Sequence, residues 1–172
     1  MPHSLKIFHA LGLSMALSAS AHAADAVPEI KREVGTAQAD GAVHTLRQIP
    51  EACTRLEGRF TGDAANPYAM ELVRTSPQCQ PRAVFMDYAK AQPTQANGWK
   101  LNDIIRTPSA SCPQLQSVVQ VWRKPAGQAV KLDGQGQNRI YLDDAKKQAA
   151  AGKLAALPAY AAVMSVQGSA CR

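Results

Sequence analysis

Apolar and polar residues alternate along two neighbouring stretches in the first half of the chain, at 54–60 and 68–73. Alternation with a period of two is the pattern of a strand that buries one face. The residues between the two stretches, Gly-Asp-Ala-Ala-Asn-Pro at 62–67, favour a turn. Two strands around one turn predict an antiparallel β-hairpin. Its apolar face carries Leu56, Phe60, Met70 and Leu72.

Four later stretches also predict strands, because they are rich in β-branched or aromatic residues, or bounded by turn-forming ones. They cover 82–88, 99–107, 115–122 and 160–166. Residues 128–142 predict two less regular extended pieces around the turn Asp133-Gly134-Gln135-Gly136. Residues 43–51 precede the hairpin and predict a short helical turn before Pro50.

A helix is predicted near the C-terminal end. Asp143 or Asp144 can cap its N-terminus, and the Ala-, Lys- and Leu-rich run that follows favours helix until Pro158. The apolar face of this helix is mostly alanine, so it can approach a sheet closely. The predicted fold class is α+β, a mainly antiparallel sheet of six or seven strands with one C-terminal helix packed on it. The alternative is a β-sandwich or small β-barrel with an added helix.

The first 23 residues have the three-part layout of a secretory signal peptide. A positive region ends at Lys6, an apolar stretch follows, and small residues precede a cleavage site after Ala23 or Ala21. The apolar stretch is shorter than the roughly 18 residues of a membrane span, so no span is expected after cleavage. Residues 24–42 lack periodicity and predict a mobile leader, and 43–172 predict a single globular domain. The expected location is periplasmic or secreted.

Four cysteines follow the predicted signal peptide: Cys53, Cys79, Cys112 and Cys171. An even number in an exported chain predicts two disulfides, for which three connectivities exist. A hairpin turn centred near residue 65 brings Cys53 opposite the neighbourhood of residue 77, within reach of Cys79. We therefore predict the pairs Cys53–Cys79 and Cys112–Cys171, which make the domain disulfide-stabilised.

The composition argues against several classes of enzyme. Once the signal peptide is removed, His44 is the one remaining histidine, and serine or cysteine nucleophiles usually need a histidine base. One histidine and paired cysteines argue against a zinc site. The loop at 133–138 lacks the bidentate glutamate of a calcium loop, and no phosphate-binding glycine motif occurs. We expect no metal and no cofactor.

The chain is basic, with a formal net charge of +6 over 172 residues. The positive residues are spread along the sequence without a block of five or more, so a nucleic-acid-binding arm is not expected. Arginines that alternate on strands are suited instead to an anionic glycan or an acidic protein surface. Trp99 and Trp122 are interpreted as core residues.

The polar face of the predicted hairpin is the candidate binding site, and it carries Arg55, Glu57, Arg59 and Glu71. One register sets Glu57 directly opposite Glu71, as a carboxylate pair. A register shifted by two residues sets Arg59 opposite Glu71 instead. Because like charges directly opposite are destabilising and opposite charges are favourable, we predict the Arg59–Glu71 register.

These features lead to three hypotheses. The first is an exported, soluble, non-enzymatic binding or inhibitory module of the bacterial cell envelope, which recognises an envelope or extracellular protein, or an anionic glycan, through its charged strand face. The second is a small exported hydrolase of envelope polysaccharide that uses a carboxylate pair. The third is an accessory protein of envelope assembly, which the leader tethers.

Overall fold

The computed structural model describes residues 26–126, 147, 150, 157–169 and 171. The predicted signal peptide, the extended pieces at 128–142 and most of the predicted C-terminal helix lie outside this range. Lys147 and Ala150, which belong to that predicted helix, are helical. None of the described helices is long and apolar enough to cross a membrane.

Seven strands are described, and they form two sheets rather than the single sheet that was predicted. They are β1 (His44–Ile49), β2 (Thr54–Phe60), β3 (Tyr68–Arg74), β4 (Val84–Phe85), β5 (Lys100–Pro108), β6 (Gln116–Lys124) and β7 (Ala159–Gln167). The three-stranded sheet has the order β1-β2-β3, and the four-stranded sheet has the order β4-β7-β6-β5. All pairings are antiparallel except β4 with β7. The two sheets are open and do not close into a barrel.

One hydrophobic core lies between the two sheets. Phe60 and Tyr68 of the three-stranded sheet stack edge to face, with ring centroids 4.8 Å apart. They share a cluster with Val119 and Val121 of β6, both fully buried. Because residues of both sheets share this core, the two sheets form two packed layers.

The opposite face of the four-stranded sheet carries a second, smaller core. Trp99 is buried there with Ala159 and Ala161, and Trp122 packs against them. A short helix, α1 (Tyr88–Ala91), contributes Tyr88 to this cluster. Both tryptophans are therefore in or against a core, as predicted.

The hairpin at β2–β3 and the strands β5, β6 and β7 agree with the sequence pattern. Two other predictions were wrong. Residues 44–49 form strand β1 in place of the predicted helical turn before Pro50, and a 3-10 turn follows at Pro50–Ala52. A β-bulge between Thr45 and Arg47 places the buried Leu46 and Ile49 three residues apart, which imitates helical spacing. The predicted strand at 82–88 is reduced to β4, and helix α1 begins at Tyr88.

Residues 26–42, named the strap here, run along the outer edge of β5. Backbone N–H groups of Glu29, Ile30, Gly35 and Gln38 donate to β5 carbonyls at 2.8–2.9 Å. The strap then reaches the end of β2, where Gly41 N–H donates to the Phe60 carbonyl at 2.7 Å. The segment predicted as a leader is thus bonded to both sheets.

Both disulfides have the predicted pairing. Cys53 and Cys79 join the end of the hairpin to the segment after β3, with Cα atoms 5.8 Å apart. Cys112 and Cys171 join the β5–β6 connection to the segment after β7, with Cα atoms 5.6 Å apart. Each bond therefore connects elements that the sheets already bring close.

Candidate functional site

The three-stranded sheet turns a polar face to solvent, opposite the core. Leu56, Gly58 and Phe60 point inward and are buried. The intervening residues of β2 point outward because side chains alternate along a strand. The outer face therefore collects the four residues of the predicted site: Arg55, Glu57 and Arg59 from β2, and Glu71 from β3. We call these four residues the hairpin face.

The register of the hairpin is the one that we did not predict. Glu57 lies directly opposite Glu71, and Arg59 lies opposite Ala69. Packing on the inner face explains the difference, because this register places Tyr68 opposite Phe60 and leaves room for the Tyr68 phenol over Gly58. A buried aromatic pair contributes about 0.5–1.5 kcal/mol beyond its area, whereas a cross-strand charge pair contributes about 0.2–1 kcal/mol, and less where solvent screens it.

The charges of the hairpin face are paired along and across the strands. Arg55 Nε donates to Glu57 Oε1 at 2.7 Å. Arg59 Nη2 and Glu71 Oε1 are 3.9 Å apart, a looser pair in which the Glu71 side chain is 67% exposed. The face thus holds two positive and two negative groups, and Glu71 is the most accessible of them.

The hairpin face borders only a shallow depression. It has a volume of about 40 Å³, and its lining includes Val43, Glu57 and Glu71. Small-molecule sites usually enclose roughly 300–1,000 Å³, so this depression does not surround a substrate. The arrangement can form ion pairs and hydrogen bonds with a surface that is laid on it.

The sequence did not point to a buried charged cluster at Asp103. The Asp103 side chain is fully buried, at a β-bulge of β5. Arg32 Nη2 of the strap and Arg47 Nη1 of β1 both donate to Asp103 Oδ2 at 2.8 Å. One carboxylate therefore ties the strap and the two sheets together.

A second polar cluster holds the beginning of the strap. Glu29 Oε1 accepts a hydrogen bond from Arg123 Nη2 at 2.7 Å, and Glu29 Oε2 accepts one from Asn102 Nδ2 at 2.7 Å. The hydrogen bond from Arg123 is the largest cause that lowers the pKa of Glu29 below its ordinary value of 4.5, against a smaller opposing effect of burial.

His44, the one histidine of the predicted mature chain, lies at the start of β1. Its Nε2 atom is 2.8 Å from the hydroxyl of Tyr68, and burial raises the pKa of that tyrosine. The pair belongs to the core edge. Within the described ranges, no group of three or more His, Cys, Asp or Glu side chains is placed to hold a metal ion.

A feature that sequence reasoning missed is an apolar groove at the edges of the two sheets. It has a volume of about 390 Å³ and lies between β3 and the segment that contains β4. Its lining includes Leu72, Arg74, Pro81, Val84 and Phe85. Leu72 and Val84 are exposed because their strands lie at the edges of the two sheets. The alternation along one strand does not reveal whether that strand lies at an edge. We call this cavity the edge groove.

In comparisons with known proteins, no family model, no curated protein and no solved structure matches the chain.

Proposed function

We propose that this protein is an exported, non-enzymatic binding module of the bacterial cell envelope, and that it recognises a protein partner through the hairpin face. The observation that supports this most directly is the grouping of four charged side chains on one open strand face without an enclosed cavity. Such a face is suited to contact with another surface, and the Cys53–Cys79 disulfide at the end of the hairpin helps to make its support rigid.

The balance of charge favours a protein over an anionic polymer. Two arginines and two glutamates alternate over a small area, and Arg55 is already bonded to Glu57. An anionic glycan is best bound by groups of one sign, whereas a mixed pattern can match a complementary mixed pattern on a protein. Two disulfides are compatible with export, since such bonds persist in oxidising compartments.

The second candidate remains a polysaccharide hydrolase, and the register supplies its support. Glu57 and Glu71 stand side by side across the hairpin, and retaining glycosidases hold two carboxyl groups about 5–5.5 Å apart. The shallow depression beside them argues for the binding function, because a hydrolase must surround a sugar ring. The third hypothesis, a tether, requires a free leader, and the strap is bonded to β5 instead.

The experiment compares three forms of the mature protein as immobilised bait in envelope and culture-supernatant extracts. They are the wild type, the double variant Arg55→Ala/Arg59→Ala, and the control Lys90→Ala/Lys124→Ala, which removes the same charge from exposed positions elsewhere. We expect the wild type and the control to retain one partner at near-equal stoichiometry, and the hairpin-face variant to lose it.

Stability measurements decide how a loss is interpreted. Exposed ion pairs contribute about 0–1 kcal/mol, so the melting temperature of the double variant is expected to stay close to that of the wild type. Equal retention by all three forms would contradict the proposal. Release of soluble fragments from envelope polysaccharide, abolished by Glu57→Gln, would support the hydrolase instead.

A further inference from the structure

The edge of β3 that faces away from β2 is adjacent to both the hairpin face and the edge groove. Among the described strands, β3 pairs only with β2, so one row of its backbone N–H and C=O groups has no strand partner. Exposed edges of this kind accept an additional strand unless charges, prolines or covering segments prevent it. The strap covers the edge of β5, and it does not lie on β3.

The inner side of this edge is apolar and open. Leu72 points to the same side as its neighbour Leu56, because the two residues are directly opposite in the hairpin. Leu56 is fully buried, whereas Leu72 is 53% exposed. Val84, on the other wall of the edge groove, is 47% exposed. One strand added beside β3 would direct a side chain of every second residue into this groove.

The outer side of the edge carries a carboxylate, Glu71, whose ion pair with Arg59 is loose. Glu57 and Glu71 are neighbours in one row across the hairpin, which is a destabilising arrangement of like charges. Arg55 bonds closely to Glu57, but the nearest cation to Glu71 is Arg59 at 3.9 Å. The next position in the row, on an added strand, lies beside Glu71. A lysine or arginine there would complete the row.

The same charge argues against a second copy of this chain as the occupant. Antiparallel pairing of two β3 strands about Glu71 would place the two Glu71 side chains directly opposite each other. Registers shifted by two residues would place them diagonally, still within reach of each other. A partner segment with a basic residue avoids this repulsion.

We propose that the β3 edge binds an extended segment of a partner protein by strand addition, with apolar side chains in the edge groove and a lysine or arginine beside Glu71. This inference rests on the proposed function and adds the chemistry of the partner. The recognised pattern is an alternation of apolar and basic residues.

The test uses synthetic peptides with the folded, disulfide-bonded protein, and binding is measured by calorimetry and by amide chemical shifts. The probe is Thr-Val-Lys-Val-Lys-Val-Thr, and the matched probe carries glutamate in place of both lysines. We expect the lysine peptide to bind at least about tenfold more tightly than the glutamate peptide, with the largest shifts on β3. Every second backbone N–H of an added strand points towards β3, and the others point away from it. N-methylation of the first set of peptide nitrogens is therefore expected to abolish binding, and N-methylation of the other set is expected to leave it unchanged.

Variants of the protein locate the site. Leu72→Lys is expected to abolish binding of the lysine peptide, and Glu71→Gln to weaken it. Val34→Lys is the control, because Val34 is 55% exposed on the strap and lies away from the groove. Absence of binding, equal binding of both peptides, or unchanged binding by folded Leu72→Lys would each overturn the proposal.

This result is independent of the capture experiment. The double variant Arg55→Ala/Arg59→Ala keeps Leu72, Glu71 and the β3 edge, so it is expected to bind the lysine peptide. Peptide binding without partner capture would retain the groove and reject the hairpin face. Partner capture without peptide binding would retain the hairpin face and reject the edge groove as a binding site.

Discussion

Replacement of Asp103 by asparagine tests the role of the buried cluster most directly. The substitution keeps the shape of the side chain and removes its charge. Asp103 is fully buried, and its two arginine partners differ in exposure: the side chain of Arg47 is 14% exposed and that of Arg32 is 39% exposed. The variant therefore leaves one guanidinium group largely buried without a counter-charge.

The expected cost follows from this burial. Removing one partner of a buried ion pair destabilises a protein by about 3–5 kcal/mol, a large part of the roughly 5–15 kcal/mol that holds a domain folded. Arg32→Ala leaves the Asp103–Arg47 pair in place and removes a more exposed group, so its cost is expected to be about 1 kcal/mol. We therefore expect Asp103→Asn to lower the free energy of unfolding more than Arg32→Ala does.

Urea unfolding with intact disulfides, followed by tryptophan fluorescence, measures these differences. Hydrogen exchange at the strap amides of Glu29, Ile30 and Gly35 shows in addition whether the strap detaches before the core unfolds. A cost below about 1 kcal/mol for Asp103→Asn, or a larger cost for Arg32→Ala, would show that the cluster does not hold the sheets and the strap together.

Two further predictions concern the strap and the hairpin. The pKa of Glu29 is lowered mainly by its hydrogen bond from Arg123, which adds stability that is present above the ordinary value of 4.5 and is lost as the pH falls through the folded-state pKa. The protection factors of the strap amides, which correct for the intrinsic exchange rate at each pH, should therefore fall below that pH, and Glu29→Gln should remove this pH dependence. Gly58→Ala places a methyl group against the Tyr68 phenol and is expected to cost about 1–3 kcal/mol by overpacking. In a Tyr68→Phe background the cost should shrink, as a double-mutant cycle of melting measurements would show; an equal cost in both backgrounds would place the clash at the ring rather than at the hydroxyl.

The elements that could be predicted from the sequence are those with regular alternation, or with β-branched residues between turn-forming ones. The hairpin alternates clearly, and its geometry led to the correct disulfides, whereas the three long strands of the four-stranded sheet were indicated by composition and bounding turns. Strand β1 was missed because its bulge separates the buried residues Leu46 and Ile49 by three positions instead of two. The division into two sheets was expected only in the β-sandwich alternative, because alternation reports one buried face and not the element that covers it.

The placement of the four charged residues on one face of the hairpin was predicted correctly, but their register was not. Charge pairing across the hairpin favours the Arg59–Glu71 register, but the aromatic packing of Phe60 on Tyr68 outweighs it. The role of the strap could not be predicted, because backbone hydrogen bonds and one buried ion cluster hold it to β5 without any apolar periodicity. The edge groove needs the positions of two strands that are distant in sequence.

The path of the strap also has a consequence for the order of folding. Arg32 and its partner Asp103 are separated by 71 residues, and Arg47 and Asp103 by 56. During synthesis the strap is made before β5. The strap therefore stays exposed to solvent until β5 has formed beside β6. Contacts of such long separation are slow to close. Strap docking is thus expected as a late kinetic step, and until it occurs the Asp103 carboxylate lacks one of its two arginine partners.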